Sequence, residues 1–160
     1  MADRTVKNLL EYGLFRMVAS VLQALPRAWT LAIGATLGNL SRFILGKRRR
    51  TALANLRAAF PEMTPTELDQ TLKGIFRHMG LIGSEMLILE RLGERDRLET
   101  LLTVLGREHL QAAMDEGRGA LILTAHVGFW EIGPVLFPFL EVPTDFISKP
   151  MKNTYVNNYF

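Results

Sequence analysis

The 160-residue chain carries 19 Lys/Arg against 16 Asp/Glu, is 48% hydrophobic and contains no cysteine. That length supports one domain with a substantial core, and the absent thiol excludes disulfides, thiolate metal sites and a cysteine nucleophile. The net charge of +3 hides an asymmetry: residues 1–60 hold ten Lys/Arg and two Asp/Glu (+8), whereas residues 61–160 hold nine and fourteen (−5).

The first eleven residues include Asp3, Arg4, Lys7 and Glu11, so the start is polar and lacks the early apolar core of a secretory signal. Ala2 excludes N-myristoylation. From Tyr12 to Leu45 the chain is mostly apolar, interrupted by Arg16, Pro26, Arg27 and Arg42. Its longest uncharged run, Ala28–Ser41, has 14 residues, fewer than the roughly 20 that cross a bilayer. Leu9–Leu25, with Arg16 snorkelling, is a marginal span. A pair of buried core helices and a pair of interfacial helices both fit the same pattern.

Lys47-Arg48-Arg49-Arg50 follows directly. Such a cluster suits anionic headgroups, at about 1 kcal/mol per cation near the surface, or simply a solvated helix face. If the first helix spans, the cluster keeps the main body cytoplasmic. No aromatic interleaving or recognised binding motif accompanies it, so no nucleic-acid partner is expected. The expected division is residues 1–50 as a membrane-associated helical segment with the basic cluster and residues 51–160 as the start of the domain proper.

Arg50–Phe60 reads as a helix that stops before Pro61. Thr64-Pro65-Thr66-Glu67 spells a helix start, with Thr64 as N-cap, Pro65 at the first helical position and Glu67 closing a capping box. Leu68, Leu72, Ile75, Phe76 and Met79 then recur at helical spacing and predict a buried face. Met86, Leu87, Leu89 and Leu92 extend the apolar pattern to Gly93, and Arg77, His78 and Glu85 read as surface residues. Arg107–Glu116 is a further helix, with Leu110, Ala113 and Met114 inward, His109 solvated and Gly117 as its stop.

Ala120-Leu121-Ile122-Leu123-Thr124-Ala125 has the composition of a short buried strand. It ends in His126, and Glu131 follows five positions later beside Gly133-Pro134. On one helix, residues five apart are rotated by roughly 140° and share no face. If His126 lies at a strand end and Glu131 on the next element, the side chains can converge. The carboxylate then fixes the imidazole tautomer and frees its other nitrogen to take a proton. Spacing alone leaves open the alternative of a satisfied loop histidine.

Pro134–Leu140 reads as helical, and Pro143–Pro150 as a second short strand ending in Lys149. Helix, strand, helix, strand predicts an α/β fold with a mainly parallel sheet, and His126 and Lys149 would both lie outside its carboxyl edge. No His-Glu-x-x-His or comparable ligand set is present, so no metal or other cofactor is expected.

These residues resemble the lysophospholipid acyltransferase superfamily, and more closely the bacterial lipid A biosynthesis (lauroyl/myristoyl) acyltransferases. Three ordered segments carry the likeness: Asn55-Leu56-Arg57-Ala58-Ala59-Phe60-Pro61-Glu62; Gly106–Leu110 with Gly117-Arg118-Gly119 and Ala125–Glu131; and Phe146–Pro150 with Lys152-Asn153. Phe129 stands where the family pattern carries Asn, and Lys149 where it carries Arg. Lys149 would thus attract a phosphate as a point charge without the bidentate fork.

The resemblance implies transfer of a fatty acyl chain from a thioester donor, acyl carrier protein or acyl-CoA, to a hydroxyl of a lipid acceptor such as a lipid A precursor. It implies His126 as general base, Glu131 as its orienting partner, and Lys149, Gly128 and Trp130 as substrate-binding residues. It places the protein at the cytoplasmic face of the cell inner membrane, peripheral or single-pass, against an anionic lipid surface. The chain would represent the N-terminal part of the acyltransferase α/β domain. A non-catalytic membrane-docking or partner-binding protein is the alternative.

Overall fold

The computed structural model of the chain describes residues 2–92, 98 and 100–160. In chain order it contains α1 (Ala2–Ala24), α2 (Arg27–Ile44), α3 (Gly46–Ala59), α4 (Pro65–Leu87), α5 (Leu89–Leu92), α6 (Arg107–Asp115), a 3-10 turn (Trp130–Ile132), α7 (Gly133–Phe139) and α8 (Thr154–Tyr159). Two compact units emerge. One comprises Met1–Leu89 with Phe146–Phe160, the other Glu90–Asp145.

The first unit is held by α4. Its start follows the sequence: Pro65 opens the helix, the Glu67 backbone N–H donates to the Thr64 hydroxyl at 3.3 Å, and the Glu67 carboxylate accepts from the Thr64 N–H at 2.8 Å. That reciprocal pair satisfies two of the donors a helix start leaves orphaned. Leu68, Leu72 and Phe76 bury against Leu56 of α3, with Ala52, Leu53 and Met63 packed around them. Their spacing makes one face of α4, as apolar periodicity predicts.

Past Phe76 the buried face changes character. Ile75 and Met79, expected inside, are 37% and 52% exposed. The helix turns Gly80 and Ser84 toward α2 instead, where Gly34 and Gly38 meet them. A Cβ built on Gly80 would lie 2.1 Å from the Gly34 carbonyl oxygen and 2.8 Å from the Gly38 Cα; one on Gly34 would lie 2.5 Å from the Gly80 oxygen. Small residues four apart on both helices let the backbones touch, an arrangement that any side chain would hold open. Gly93, the expected end of the apolar pattern after α4, lies outside the described residues.

The corner between α1 and α2 is closed by polar groups. Fully buried Thr30 donates its hydroxyl to the Leu22 carbonyl at 3.0 Å, and Arg27 pairs with Glu85 of α4. Glu85, read from sequence as a surface residue, has a side chain only 16% exposed because of that pairing. Gln23 donates to the Leu87 carbonyl (3.1 Å) and to the Tyr159 hydroxyl (3.0 Å).

Helix α8 docks on α1 through an aromatic cluster. Phe15 meets Tyr159 and Phe160 edge-on, with centroids 5.2 and 5.8 Å apart. Tyr12 meets Tyr155 at 5.9 Å, and the Arg16 guanidinium lies 4.9 Å over the Tyr159 ring. Asn153 caps α8, its side-chain oxygen accepting from Tyr155 and Val156 N–H, while its amide nitrogen donates to the Asn8 carbonyl at 2.9 Å and to the Glu11 carboxylate at 3.2 Å.

The aromatic side of α1 is thus covered, and the opposite side carries Val6, Leu10, Leu14, Met17 and Val21, exposed by 56 to 70%. Trp29, Ile33, Leu37, Leu40 and Ile44 form a second exposed stripe on α2. Among the described residues, no helix is long and apolar enough to cross a membrane.

The expected α/β fold with a parallel sheet is not what forms: among the described residues there is no strand. Ala120–Ala125 and Pro143–Pro150 are irregular and run without a ladder, and Leu121 and Leu123 are 96% and 95% exposed. Strand composition favours an extended backbone, but a sheet also needs neighbours to take each N–H and C=O and to cover each face. These two short segments supply none to each other. The helical periodicity of residues 1–92, by contrast, is satisfied by local hydrogen bonds and a packed face, which is why that part of the pattern was realised.

Candidate active site around His126

In the second unit, α6 (Arg107–Asp115) keeps Leu110, Ala113 and Met114 half-buried and His109 exposed, and the chain leaves it through Gly117, whose N–H donates to the Met114 carbonyl at 3.0 Å. Arg118 pairs with Glu116 across this turn. The segment from Ala120 to Ala125 then leads to His126 with every residue exposed. The expected buried strand is therefore an open approach to the histidine.

His126 sits at the centre of a three-residue turn closed by the Val127 N–H donating to the Ala125 carbonyl at 2.8 Å. Glu141 is the one described non-glycine residue with positive φ, so the turn at His126 is of the inverse γ kind, which carries little strain. Two residues on, Gly128 adopts φ +60°. A Cβ there would meet no atom within 4 Å, so glycine is needed for its backbone and not for space. Together the two bends turn the chain into the 3-10 turn Trp130–Ile132, and α7 continues from Gly133 with Pro134 in its first turn.

This path returns the Trp130 ring to the imidazole. Their centroids are 4.7 Å apart at an interplanar angle of 46°. Glu131 is half-buried one residue further on. Among the described residues no hydrogen bond or ion pair joins Glu131 to His126; the imidazole instead lies against the Trp130 ring in a tilted contact. Residues four apart are neighbours by rule only on a helix, and His126–Phe129 is not helical, so this contact follows from the two bends and had no signal in the spacing.

Gly128 and Trp130 thus belong with His126 in one local turn. Lys149 is exposed and lies in the irregular segment of the first unit, before α8. The shared sheet edge expected to carry both His126 and Lys149 does not exist among the described residues. The residue sequence reasoning quoted without a role is Asn153, four positions after Lys149. Asparagine directly before a Thr-Tyr-Val helix start was its available signal.

Residues 4–160 match the family described as bacterial lipid A biosynthesis acyltransferase. No curated protein matches the chain, and no solved structure does.

Proposed function

The chain belongs to the bacterial lipid A biosynthesis acyltransferase family, and on that premise we propose that it transfers a fatty acyl chain from an acyl carrier protein or acyl-CoA thioester to a hydroxyl of a lipid A precursor. His126 takes the hydroxyl proton as the oxygen attacks the thioester carbonyl; collapse of the adduct expels the thiolate, which receives that proton from the imidazolium. A positioned base of this kind supplies roughly 10²- to 10⁴-fold. Thiolate leaves readily, so the reaction proceeds without an acyl-enzyme.

Glu131 serves as partner to the imidazolium once substrate is bound, a movement across the short stretch Val127–Trp130. Gly128 and Trp130 shape the acyl-donor side, and Lys149 attracts an acceptor phosphate. The observation that carries the reading is the family match spanning nearly the whole chain, supported by the exposure of His126 on a preformed turn. The test is mass spectrometry of lipids after incubation with acyl carrier protein thioesters. His126→Ala is expected to lose transfer with its helical content intact; equal turnover by variant and parent removes the base.

The protein works at the cytoplasmic face of the inner membrane, held peripherally by residues 1–50. The two exposed apolar stripes on α1 and α2 and the neighbouring cations Lys47–Arg50 support this placement. The same stripes favour one second reading, a membrane-docking protein without transfer. Vesicle flotation with no acyl product would select it.

A further inference from the structure

We propose that Trp130 is a positioning residue for His126: its indole, fixed by a turn of its own, restrains the exposed imidazole before substrate arrives. The role rests on His126 acting as the base, proposed above, and deepens that reading.

The two rings are held very unequally. His126 is exposed, and its three-residue turn fixes only the backbone, through the Val127 N–H on the Ala125 carbonyl at 2.8 Å. Among the described residues no hydrogen bond or ion pair reaches the imidazole; its ring contact is with Trp130, centroids 4.7 Å apart and planes inclined by 46°. Trp130 is half-buried and opens the 3-10 turn Trp130–Ile132. The Ile132 N–H donates to the Phe129 carbonyl at 3.3 Å and the Gly133 N–H to the Trp130 carbonyl, and α7 follows at once from Gly133. The anchored indole therefore limits the free imidazole, and not the reverse.

A general base works only with its accepting nitrogen within hydrogen-bond reach of the hydroxyl. An exposed imidazole on a turn samples several rotamers, and most of them aim that nitrogen elsewhere. A ring packed against one side removes part of this freedom in advance, which is the entropic share of catalysis. The contact also suits the charge that develops. An imidazole that takes the proton becomes a cation, and 4.7 Å lies inside the roughly 6 Å over which an indole attracts one. An attraction that grows toward the transition state acts on kcat. Glu131, one residue on, does not compete for the same place: consecutive residues of a 3-10 turn project about 120° apart, so the carboxylate approaches the imidazole from another direction.

Nuclear magnetic resonance of the full chain reads the contact without reference to activity. The His126 ring protons are expected to be displaced by the indole ring current relative to those of His78 and His109, both exposed, and to show an Overhauser contact with the Trp130 ring. Trp130→Leu is expected to abolish the displacement and lower kcat about fivefold, with KM within about twofold of the parent. Trp130→Phe keeps an aromatic ring on the turn and is expected to retain the displacement and about half of kcat.

Undisplaced His126 ring protons in the parent overturn the proposal before any variant is made, so it stays open to refutation even if Trp130→Leu fails to fold. Parental kcat in Trp130→Leu overturns it as well, whether KM is unchanged or raised, and so does a Trp130→Phe as slow as Trp130→Leu. The proposed function and this role fail separately. His126→Ala with parental turnover removes the base and the positioning role with it, whereas an inactive His126→Ala beside a fully active Trp130→Leu removes the positioning role alone.

Discussion

The α-carbon of Gly80 faces the carbonyl oxygen of Gly34 so closely that a methyl group on Gly80 would lie 2.1 Å from it. Backbone is met by backbone at this crossing, so neither side can rotate away as a side chain would.

Gly80→Ala is therefore expected to destabilise the first unit. Overpacking of this kind costs about 1–3 kcal/mol, more than the gain of about 1 kcal/mol from replacing a helical glycine by alanine. Gly74 is the control: it lies in the same helix, exposed, with nothing within 4 Å of a built Cβ. Gly74→Ala is expected to stabilise by about 0.5–1 kcal/mol. Opposite shifts of the urea midpoint would confirm the contrast, and a stabilising Gly80→Ala would refute the close crossing.

These two glycines also show where sequence reading stops. Leu68, Leu72 and Phe76 announced a buried face because burial of apolar area follows side-chain periodicity. Gly34, Gly38 and Gly80 have no side chain to carry such a signal, so the tightest contact in the unit was invisible while Ile75 and Met79 were wrongly placed inside. The capping box at Thr64 was legible because its information is local. The sheet was misread for the converse reason: Ala120–Ala125 has strand composition, yet a strand is a relation between segments. At the candidate site, His126 was read as the end of a strand, and neither the turn that the Val127 N–H closes there nor the Trp130 contact was predicted.

The capping box makes a pH prediction. Hydrogen bonds from Thr64, first its backbone N–H and then its hydroxyl, hold the Glu67 carboxyl below the ordinary glutamate value. The folded value lies below the unfolded one, about 4.3. The contribution of Glu67 is thus fully present above that pH and lost as pH falls through the folded value. Thr64→Ala removes only the second of the two bonds, so Glu67 is expected to move partway back. Carbon-detected NMR titration reads this directly; a parental Glu67 that titrates like a free glutamate contradicts it.

The exposed stripe on α1 predicts a separable binding defect. Leu10 and Leu14 are 70% and 60% exposed, on the side of the helix away from the Phe15–Tyr159 contact. Replacing both with Gln removes apolar area without touching the core, so circular dichroism should be unchanged. Flotation with phosphatidylglycerol vesicles is expected to weaken by tenfold or more, since burying each leucine contributes about 1.5–3 kcal/mol. Converting Lys47–Arg50 to Gln should instead reduce the salt dependence of binding. Unaltered flotation in the leucine variant means that another face meets the lipid.

Gly128 offers the sharpest probe of the turn that presents His126. Its φ of +60° is costly for an L side chain, about 1–2 kcal/mol, although the space for a Cβ is open. Gly128→Ala is thus expected to act through the backbone, pulling the chain toward negative φ and separating the Trp130 and His126 rings, now 4.7 Å apart. The His126 ring protons would lose the displacement that the indole current gives them, and acyl transfer would fall by about tenfold. Asparagine tolerates the left-handed region far better than alanine, so Gly128→Asn should retain both the NMR signature and most of the transfer. If alanine and asparagine behave alike, the substituent matters and the backbone angle does not, and the preformed turn loses its role in presenting the base.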